Sequence, residues 1–259
     1  MSWSSRRQLL YFFYFLVIIA VIVGLFVHKT TTTVPTCFDH KQNGAETGVD
    51  CGGGCQQYCP DQLPDPKVRW SRIFTVAPGV VHAIAYIEHS NPGAASRAAS
   101  YEFKLYDDKN NLVATRDGTT FIGPFGRTAI VETLISVGNT NPVTVQFSFT
   151  QPVPWEKIPS SFSSVVIKTD RQLLESIPQG TRLTVTLENQ SRFAFADMDI
   201  VAILYDKDDN AIAVSKSFLA SLDAQGNATV YFTWPQEFKD QTARVEVIPR
   251  FNPFNAQAL

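Results

Sequence analysis

The segment YEFKLYD, residues 101–107, alternates apolar and polar residues and then runs into the polar stretch DDKNN, residues 107–111. A period of two is typical of a strand with one buried face, and Leu105 would lie on that face. Asp and Asn are turn-forming residues, so Asp107 would open a hairpin. The segment therefore predicts a half-buried antiparallel strand that ends in a tight turn.

Similar short segments follow one another through most of the chain after residue 66. Each alternates apolar and polar residues, and Pro, Gly or Asn separates it from the next. The segments are HAIAYIEHS (82–90), TAIVETLI (128–135), TVQFSF (144–149), TRLTVTLEN (181–189), DIVAILYD (199–206), NATVYFTW (227–234) and ARVEVI (243–248). Such a series predicts short antiparallel strands in β-sandwiches.

The series occurs twice, with a period close to 100 residues. Leu105-Tyr106-Asp107 returns as Leu204-Tyr205-Asp206, 99 residues later, and at the same offset Asn111 corresponds to Asn210. About seven short strands per copy is typical of tandem immunoglobulin-like sandwiches. We expect both leucines to face a core and both tyrosines to be exposed on the opposite face.

The pattern F-x-L-Y-D at residues 103–107 resembles the FxLYD-type immunoglobulin-like domain of bacterial envelope proteins. The second copy has Ala202 in place of the Phe, so it matches this pattern less well. The resemblance implies a domain used for display or assembly rather than for a chemical reaction.

The N-terminal segment LLYFFYFLVIIAVIVGLFV, residues 9–27, contains no charged residue. At 1.5 Å per residue its length is about 28 Å, close to the thickness of a bilayer's hydrocarbon core. Arg6 and Arg7 precede it, so the positive-inside rule leaves the N-terminus in the cytoplasm. The alternative, a cleaved signal peptide, is disfavoured because the apolar run is long and no A-x-A site follows it.

All four cysteines lie between residues 37 and 59: Cys37, Cys51, Cys55 and Cys59. An even number of cysteines beyond a membrane span predicts two disulfides, with three connectivities open. A zinc site is the alternative, but the C-x3-C-x3-C spacing is not that of a zinc ribbon. We expect this segment to lie outside the β-sandwiches.

The same segment resembles a Cys-rich motif of bacterial surface proteins, N-G-x-E-x-G-x-D-C-G-G. Its oxygen-bearing side chains, Asp39, Asn43, Glu46 and Asp50, are a candidate calcium site, because Ca²⁺ takes six to eight hard oxygen ligands. The competing interpretation is that these side chains cap turns by accepting hydrogen bonds from the backbone. No other cofactor is predicted.

Composition and motifs argue against several classes of function. Residues 30–259 carry a net charge of −5. Nucleic-acid binding relies on a basic surface, which this charge does not indicate. No G-x-S-x-G, P-loop or H-E-x-x-H motif is present, and we expect no enzymatic activity.

His82 and His89 are seven residues apart and would point to opposite faces of one strand. Trp70, Trp155 and Trp234 are expected in core and interdomain packing rather than in a carbohydrate platform.

Together these features predict an all-β ectodomain of two tandem immunoglobulin-like β-sandwiches, plus one N-terminal transmembrane helix in the cell membrane. The expected partners are other envelope or surface proteins, and a carbohydrate-binding or adhesive module is the alternative. The prolines of QPVPWEKIPSSFSS (151–164) place the joint between the domains. The expected boundaries are a cytoplasmic N-terminus (1–8), the span (9–27), a spacer (28–36), the Cys-rich motif (37–59), the first domain (66–158), the second domain (160–250) and a tail (251–259).

Overall fold

The computed structural model describes residues 3–31, 36–124 and 126–258. The chain forms two compact units, Met1–Cys55 and Gln56–Leu259. The described part of the first unit holds one helix and residues 37–55 of the Cys-rich motif, and that of the second holds every named strand. The fold is therefore all-β apart from the N-terminal helix and short 3₁₀ turns.

Helix α1 spans Trp3–Thr31 and includes the whole predicted span, residues 9–27. Within it, Ser5–Lys29 is long and apolar enough to cross a membrane, and none of its most apolar window is buried inside the protein. A soluble helix with this composition would expose its large apolar side chains to water. The helix therefore has the character of a membrane anchor or a signal segment.

Residues 67–157 form the first sandwich. Its strands are β1 (Lys67–Ala77), β2 (Val80–Glu88), β3 (Ala94–Tyr106), β4 (Leu112–Ile122), β5 (Arg127–Ser136), β6 (Thr144–Phe149) and the short β7 (Glu156–Lys157). One sheet has the order β1-β2-β5, the other has the order β4-β3-β6, and β7 pairs with β3. One buried cluster takes side chains from both sheets, including Phe103 and Leu105 of β3 and Ile87 of β2, so the sheets pack face to face.

The second sandwich repeats this plan. Its strands are β8 (Ile167–Ile177), β9 (Gly180–Asn189), β10 (Phe193–Tyr205), β11 (Ala211–Leu222), β12 (Asn227–Trp234), β13 (Arg244–Arg250) and the short β14 (Gln257–Ala258). The sheets have the orders β12-β9-β8 and β11-β10-β13, and β14 pairs with β10 as β7 pairs with β3. Their core includes Leu204, Leu187 and Phe232.

The L-Y-D turns of the two sandwiches have the same hydrogen bonds. The Asp107 carboxylate accepts from the backbone N–H groups of Lys109 at 2.9 Å and Asn111 at 2.8 Å. The Asp206 carboxylate accepts from the equivalent residues, Asp208 at 2.9 Å and Asn210 at 2.8 Å. Each Asp therefore caps its own hairpin, which is a sufficient reason for its place after the strand.

The segment after residue 250, expected to be a tail, is part of the second sandwich. Phe251 is 3% exposed and packs in that core, and β14 adds to the edge of β10 at Phe193 and Ala194. It corresponds to residues 151–157 of the first sandwich, where β7 adds to β3 at Ala94 and Ala95. The second copy of the repeat therefore continues through residue 258.

Gln57 and Tyr58, near the start of the second unit, pair with the first sandwich. Gln57 forms a β-bridge with Glu156, and the Tyr58 N–H donates to the Trp155 carbonyl at 2.9 Å. Tyr58 also packs against the first core. The expectation that residues 37–59 lie wholly outside the sandwiches is therefore wrong for the last few residues.

Candidate functional site at the junction of the two sandwiches

The two sandwiches pack against each other through a separate apolar cluster, which we call the junction. Its buried members are Ile84, Tyr86, Ala129 and Val131 of the first sandwich and Val201, Ile203, Tyr205, Ala211, Val214 and Ile248 of the second. These side chains lie on the outer face of sheet β1-β2-β5 and on the outer face of sheet β11-β10-β13. The central strands of these sheets, β2 and β10, are therefore buried on both faces.

The sequence contains a signal for this burial that the strand prediction missed. The residues at the centres of β2 and β10 do not alternate: they read AIAYI at 83–87 and IVAIL at 200–204. All ten of them are buried. A strand covered on both faces has a continuous apolar run because neither face needs polar residues.

The two tyrosines of the L-Y-D segments differ for the same reason. Leu105 and Leu204 are both fully buried in their cores, as the repeat predicts. Tyr106 is half-buried, whereas Tyr205 is 5% exposed because the first sandwich covers it. The expectation of two exposed tyrosines is therefore wrong for Tyr205.

Glu246 on β13 joins the sandwiches by accepting two hydrogen bonds. The Tyr86 hydroxyl of the first sandwich donates to its Oε1 at 2.7 Å, and the Tyr205 hydroxyl of the second donates to its Oε2 at 2.9 Å. Burial and the bond to Glu246 raise the pKa of Tyr86 to about 12, and the same two causes raise the pKa of Tyr205. Both hydroxyls therefore stay protonated donors at neutral pH.

The rings of Tyr86 and Tyr205, the two donors to Glu246, make further contacts. The Trp70 ring stacks on Tyr86 with the ring centroids 5.3 Å apart. The Arg244 guanidinium lies 3.7 Å from the centroid of the Tyr205 ring and also contacts Glu246. A cation over an aromatic face adds attraction without requiring a further polar partner.

Arg250 of β13 is a buried cation at the other side of the junction, with 5% exposure. Its guanidinium donates to Thr120 Oγ1 at 2.6 Å, Thr128 Oγ1 at 3.2 Å and the Phe121 carbonyl at 3.2 Å, all in the first sandwich. Its ion pair is with Asp199 of its own sandwich at 3.4 Å. Burial lowers the pKa of Arg250, but guanidinium groups remain charged in proteins.

An arginine so placed fixes the relative position of the sandwiches. A buried charge is tolerated only where several groups with suitable geometry compensate for its lost hydration. Three of the four acceptors of Arg250 belong to the neighbouring domain, so separation of the domains would leave the charge without them. No motif in the sequence marks this residue, since a lone Arg near a strand end is usually exposed.

In the first unit, Cys37 and Cys55 form a disulfide with an S–S distance of 2.01 Å. Cys51 and Cys59 are also disulfide-bonded, and no cysteine among the described residues is free. Disulfides of this density replace a hydrophobic core in short segments. They also fit a compartment on the non-reducing side of a membrane.

The four calcium candidates lie together, and their carboxylates accept hydrogen bonds from the motif's own backbone. Asp50 accepts from the N–H groups of Asp39 and His40 at 3.0 Å, and Glu46 accepts from those of Asn43 and Asp50 at 3.3 Å. The Asn43 amide donates to Asp39 at 2.8 Å, and this bond is the main cause of the lowered pKa of Asp39. These contacts support the turn-capping interpretation.

One side-chain oxygen of these four residues makes no turn-capping hydrogen bond. The Asn43 Oδ1 atom is buried and accepts no hydrogen bond from the described residues. The cluster of ligand atoms that lie close enough for a metal is a different one, Cys37, Glu46 and Cys55, and its two cysteines form the disulfide. Calcium binding by Asp39, Asn43, Glu46 and Asp50 stays a prediction.

The histidines and tryptophans of the sandwiches occupy different places. Trp155 and Trp234 are 2% and 5% exposed and belong to the first and second cores. His89 is buried beside Trp155, with the ring centroids 5.1 Å apart. His82 accepts the Leu134 N–H at 3.0 Å and lies at the junction. None of these tryptophans presents an open ring face for a sugar.

No protein-family model matches the chain, and no curated protein matches it. Among solved structures, the chain has a weak similarity to red sea bream transglutaminase, with 8% sequence identity and a TM-score of 0.23. The match covers 74% of this chain and 30% of that chain, so the present chain spans less than a third of that protein's length. A TM-score this low carries no argument about fold or activity.

Proposed function

We propose that this protein is a membrane-anchored scaffold of tandem immunoglobulin-like domains in a bacterial cell envelope, where it binds or assembles with other surface proteins without catalysing a reaction. The observation that carries the proposal is the junction, in which Arg250 and Glu246 each join the two sandwiches through buried hydrogen bonds. A binding surface held in one geometry loses little conformational entropy when a partner docks.

The immunoglobulin-like assignment is supported by the arrangement of the strands. Each copy has two facing antiparallel sheets of three main strands, and the L-Y-D segment ends the central strand of one sheet, β3 or β10. The hairpin after each central strand is capped by its Asp. The FxLYD pattern would therefore have a structural role, in the central strand of the sheet and in the turn that follows it.

The proposed topology rests on α1 and on the oxidised cysteines. Arg6 and Arg7 flank the N-terminal end of the apolar segment, so the N-terminus would remain in the cytoplasm. The sandwiches would then lie on the extracytoplasmic side, where disulfides form and persist. An uncleaved α1 would hold them close to the cell membrane.

The observed surface supports protein partners over a carbohydrate ligand. The outer face of sheet β12-β9-β8 has the rows Leu173–Thr184–Tyr231 and Arg171–Thr186–Thr229 across its three strands. This face is rich in threonine and has two exposed apolar residues, Leu173 and Tyr231. Tyr231 is the one aromatic residue in these rows, and the three tryptophans are engaged elsewhere, whereas sugar platforms rely on several open aromatic faces.

The test is photo-crosslinking in intact cells with p-benzoylphenylalanine at one position per variant. Tyr231 tests the outer face of the second sandwich, Gln146 tests that of the first, and Lys109 in a hairpin is the control position. We expect a discrete crosslinked protein from one outer face and none from Lys109. Adding Arg250→Met to the productive variant should remove the crosslink if partner binding needs the docked geometry.

Two outcomes would contradict the proposal. One is the absence of a discrete crosslink from both outer faces in cells that express and insert the protein. The other is saturable binding to purified cell-wall glycans that competes with the crosslink, which would favour the adhesive module.

A further inference from the structure

A partly enclosed cavity of about 180 Å³ lies at one end of the junction. It is lined by both sandwiches: by Ile73, Phe74, Thr75, Val76 and His82 of the first, and by Ile212, Ala213, Val214, Thr233, Trp234, Pro235, Gln236 and Phe238 of the second. Phe74 and Val214 also belong to the apolar cluster of the junction. The cavity is therefore a continuation of the established interface that neither sandwich fills.

The polar groups around the cavity are mostly engaged with the protein. The Trp234 indole N–H donates to the Val214 carbonyl at 3.0 Å. The Gln236 side-chain amide donates to the backbone carbonyls of Thr75 and Val76, at 3.3 and 3.0 Å. The accessible lining is polar and apolar in nearly equal parts, so it suits a small occupant that carries both an apolar ring and an oxygen.

His82 differs from these polar groups because it is the only titratable residue in the cavity lining. Its Nδ1 accepts the Leu134 N–H at 3.0 Å, which places the proton of the neutral ring on Nε2. Burial lowers the pKa of His82, so the ring is neutral at pH 7. The imidazole can therefore offer one N–H donor to an occupant that carries an acceptor oxygen.

We propose that the junction cavity binds a small neutral aromatic compound of about one ring with a hydroxyl or carbonyl oxygen, of which phenol is the simplest. An apolar cavity of about 150 Å³ in another protein binds benzene, so a volume of about 180 Å³ is sufficient for one substituted ring. Because both sandwiches form the walls, bound compound stabilises their docked state. The proposal is independent of the scaffold function.

The test is a titration of the full chain in nanodiscs with phenol, followed by methyl NMR of the isoleucines. We expect saturable ring-current shifts at Ile73 and Ile212, which line the cavity, and none at Ile130 of the first core. For a ligand of this size the dissociation constant should be about 1 mM or tighter. Cyclohexane, which has no oxygen, should bind more weakly.

Two variants fill the cavity from opposite walls, Val76→Phe and Ile212→Phe, and Val143→Phe is the matched control on an exposed position. Each filling variant should weaken phenol binding at least about tenfold, and the control should leave it unchanged. The Ile130 methyl signal reports in each case that the first core is intact. The use of two walls keeps the test valid if one variant does not fold.

The proposal is overturned if the shifts at Ile73 and Ile212 do not saturate in the unsubstituted protein, or if the shift at Ile73 remains in both filling variants. Equal shifts at Ile130 would show partition into the protein or the lipid rather than binding in the cavity. A crystal structure with ordered water in the cavity in the presence of saturating phenol would also overturn it.

Discussion

The hydroxyl of Tyr86 donates to Glu246 at 2.7 Å, although 160 residues separate them and they belong to different sandwiches. Glu246 also accepts from Tyr205, so one carboxylate uses both oxygens to join two domains. A hydrogen bond to a charged acceptor is about twice as strong as one between neutral groups. The junction is therefore a folded interface in its own right, and its residues should affect stability as core residues do.

Tyr205 and Tyr106 occupy equivalent places in the repeat but should respond differently to substitution. Tyr205→Ser removes a buried ring and one donor to Glu246, and should lower the free energy of unfolding by about 3–5 kcal/mol. Tyr106→Ser changes a half-buried ring on an open face and should cost about 1 kcal/mol or less. Urea unfolding of the full chain measures both. Equal losses would contradict the burial of Tyr205 at the junction.

Arg250→Met keeps much of the side-chain volume but removes all donors to Thr120, Thr128 and the Phe121 carbonyl. We expect a loss of about 2–4 kcal/mol in the free energy of unfolding, because these acceptors and Asp199 lose their partner. The control is Arg171→Met, whose side chain is 87% exposed and should be neutral within about 0.5 kcal/mol. A gain in stability for Arg250→Met would show that its buried charge costs more than its bonds return.

Stability should fall at high pH. The pKa of Tyr86 is about 12 in the folded protein, above its value of about 10 in the unfolded chain. Between these values the unfolded chain binds fewer protons, so the free energy of unfolding decreases as pH rises from about 10 to about 12. The raised pKa of Tyr205 adds to the effect. Thermal melts at several pH values measure it, and Tyr86→Phe should reduce the slope.

Asp50 should be needed for the order of the Cys-rich motif whether or not calcium is present. Asp50→Ala removes the acceptor for the N–H groups of Asp39 and His40, so amide exchange in residues 37–50 should speed up. If the carboxylates only cap turns, calcium should leave exchange in the unsubstituted protein unchanged. Slower exchange on addition of calcium, lost in Asp50→Ala, would establish a calcium site.

The orientation of the anchor can be tested by protease accessibility. Arg6 and Arg7 predict a cytoplasmic N-terminus, so protease added to intact spheroplasts should digest the sandwiches on the outer side. Survival of the sandwiches until the membrane is broken would reverse the topology. A mature N-terminus between residues 28 and 37 would show that α1 is cleaved.

Local patterns in the sequence were enough to predict the repeat and its cores. Leu105 and Leu204 are buried in separate cores because a period of two assigns alternate residues to one face. The capped turns at Asp107 and Asp206 also follow from residue type alone. These features depend only on neighbours in the chain.

The junction depends on which faces meet, and local patterns do not specify that. The apolar runs at 83–87 and 200–204 indicate strands covered on both faces, but they do not say that each covers the other. Arg250 is still harder to predict, because its acceptors Thr120 and Thr128 lie more than 120 residues away in the sequence. The proline-rich joint marks the boundary between the domains but does not indicate whether they pack together, as they do around Glu246.

The sheet β12-β9-β8, which faces away from the junction, differs at equivalent positions from the sheet β1-β2-β5, which lies at the junction. Where β2 has Ile84 and Tyr86 at the junction, β9 has Thr184 and Thr186 facing outward, one period of 100 residues later. Hydroxyl groups on an outer strand stay solvated, so a further copy of the module would find much less apolar surface to cover there. A third copy docked in the same way would thus require those threonines to be replaced by apolar residues.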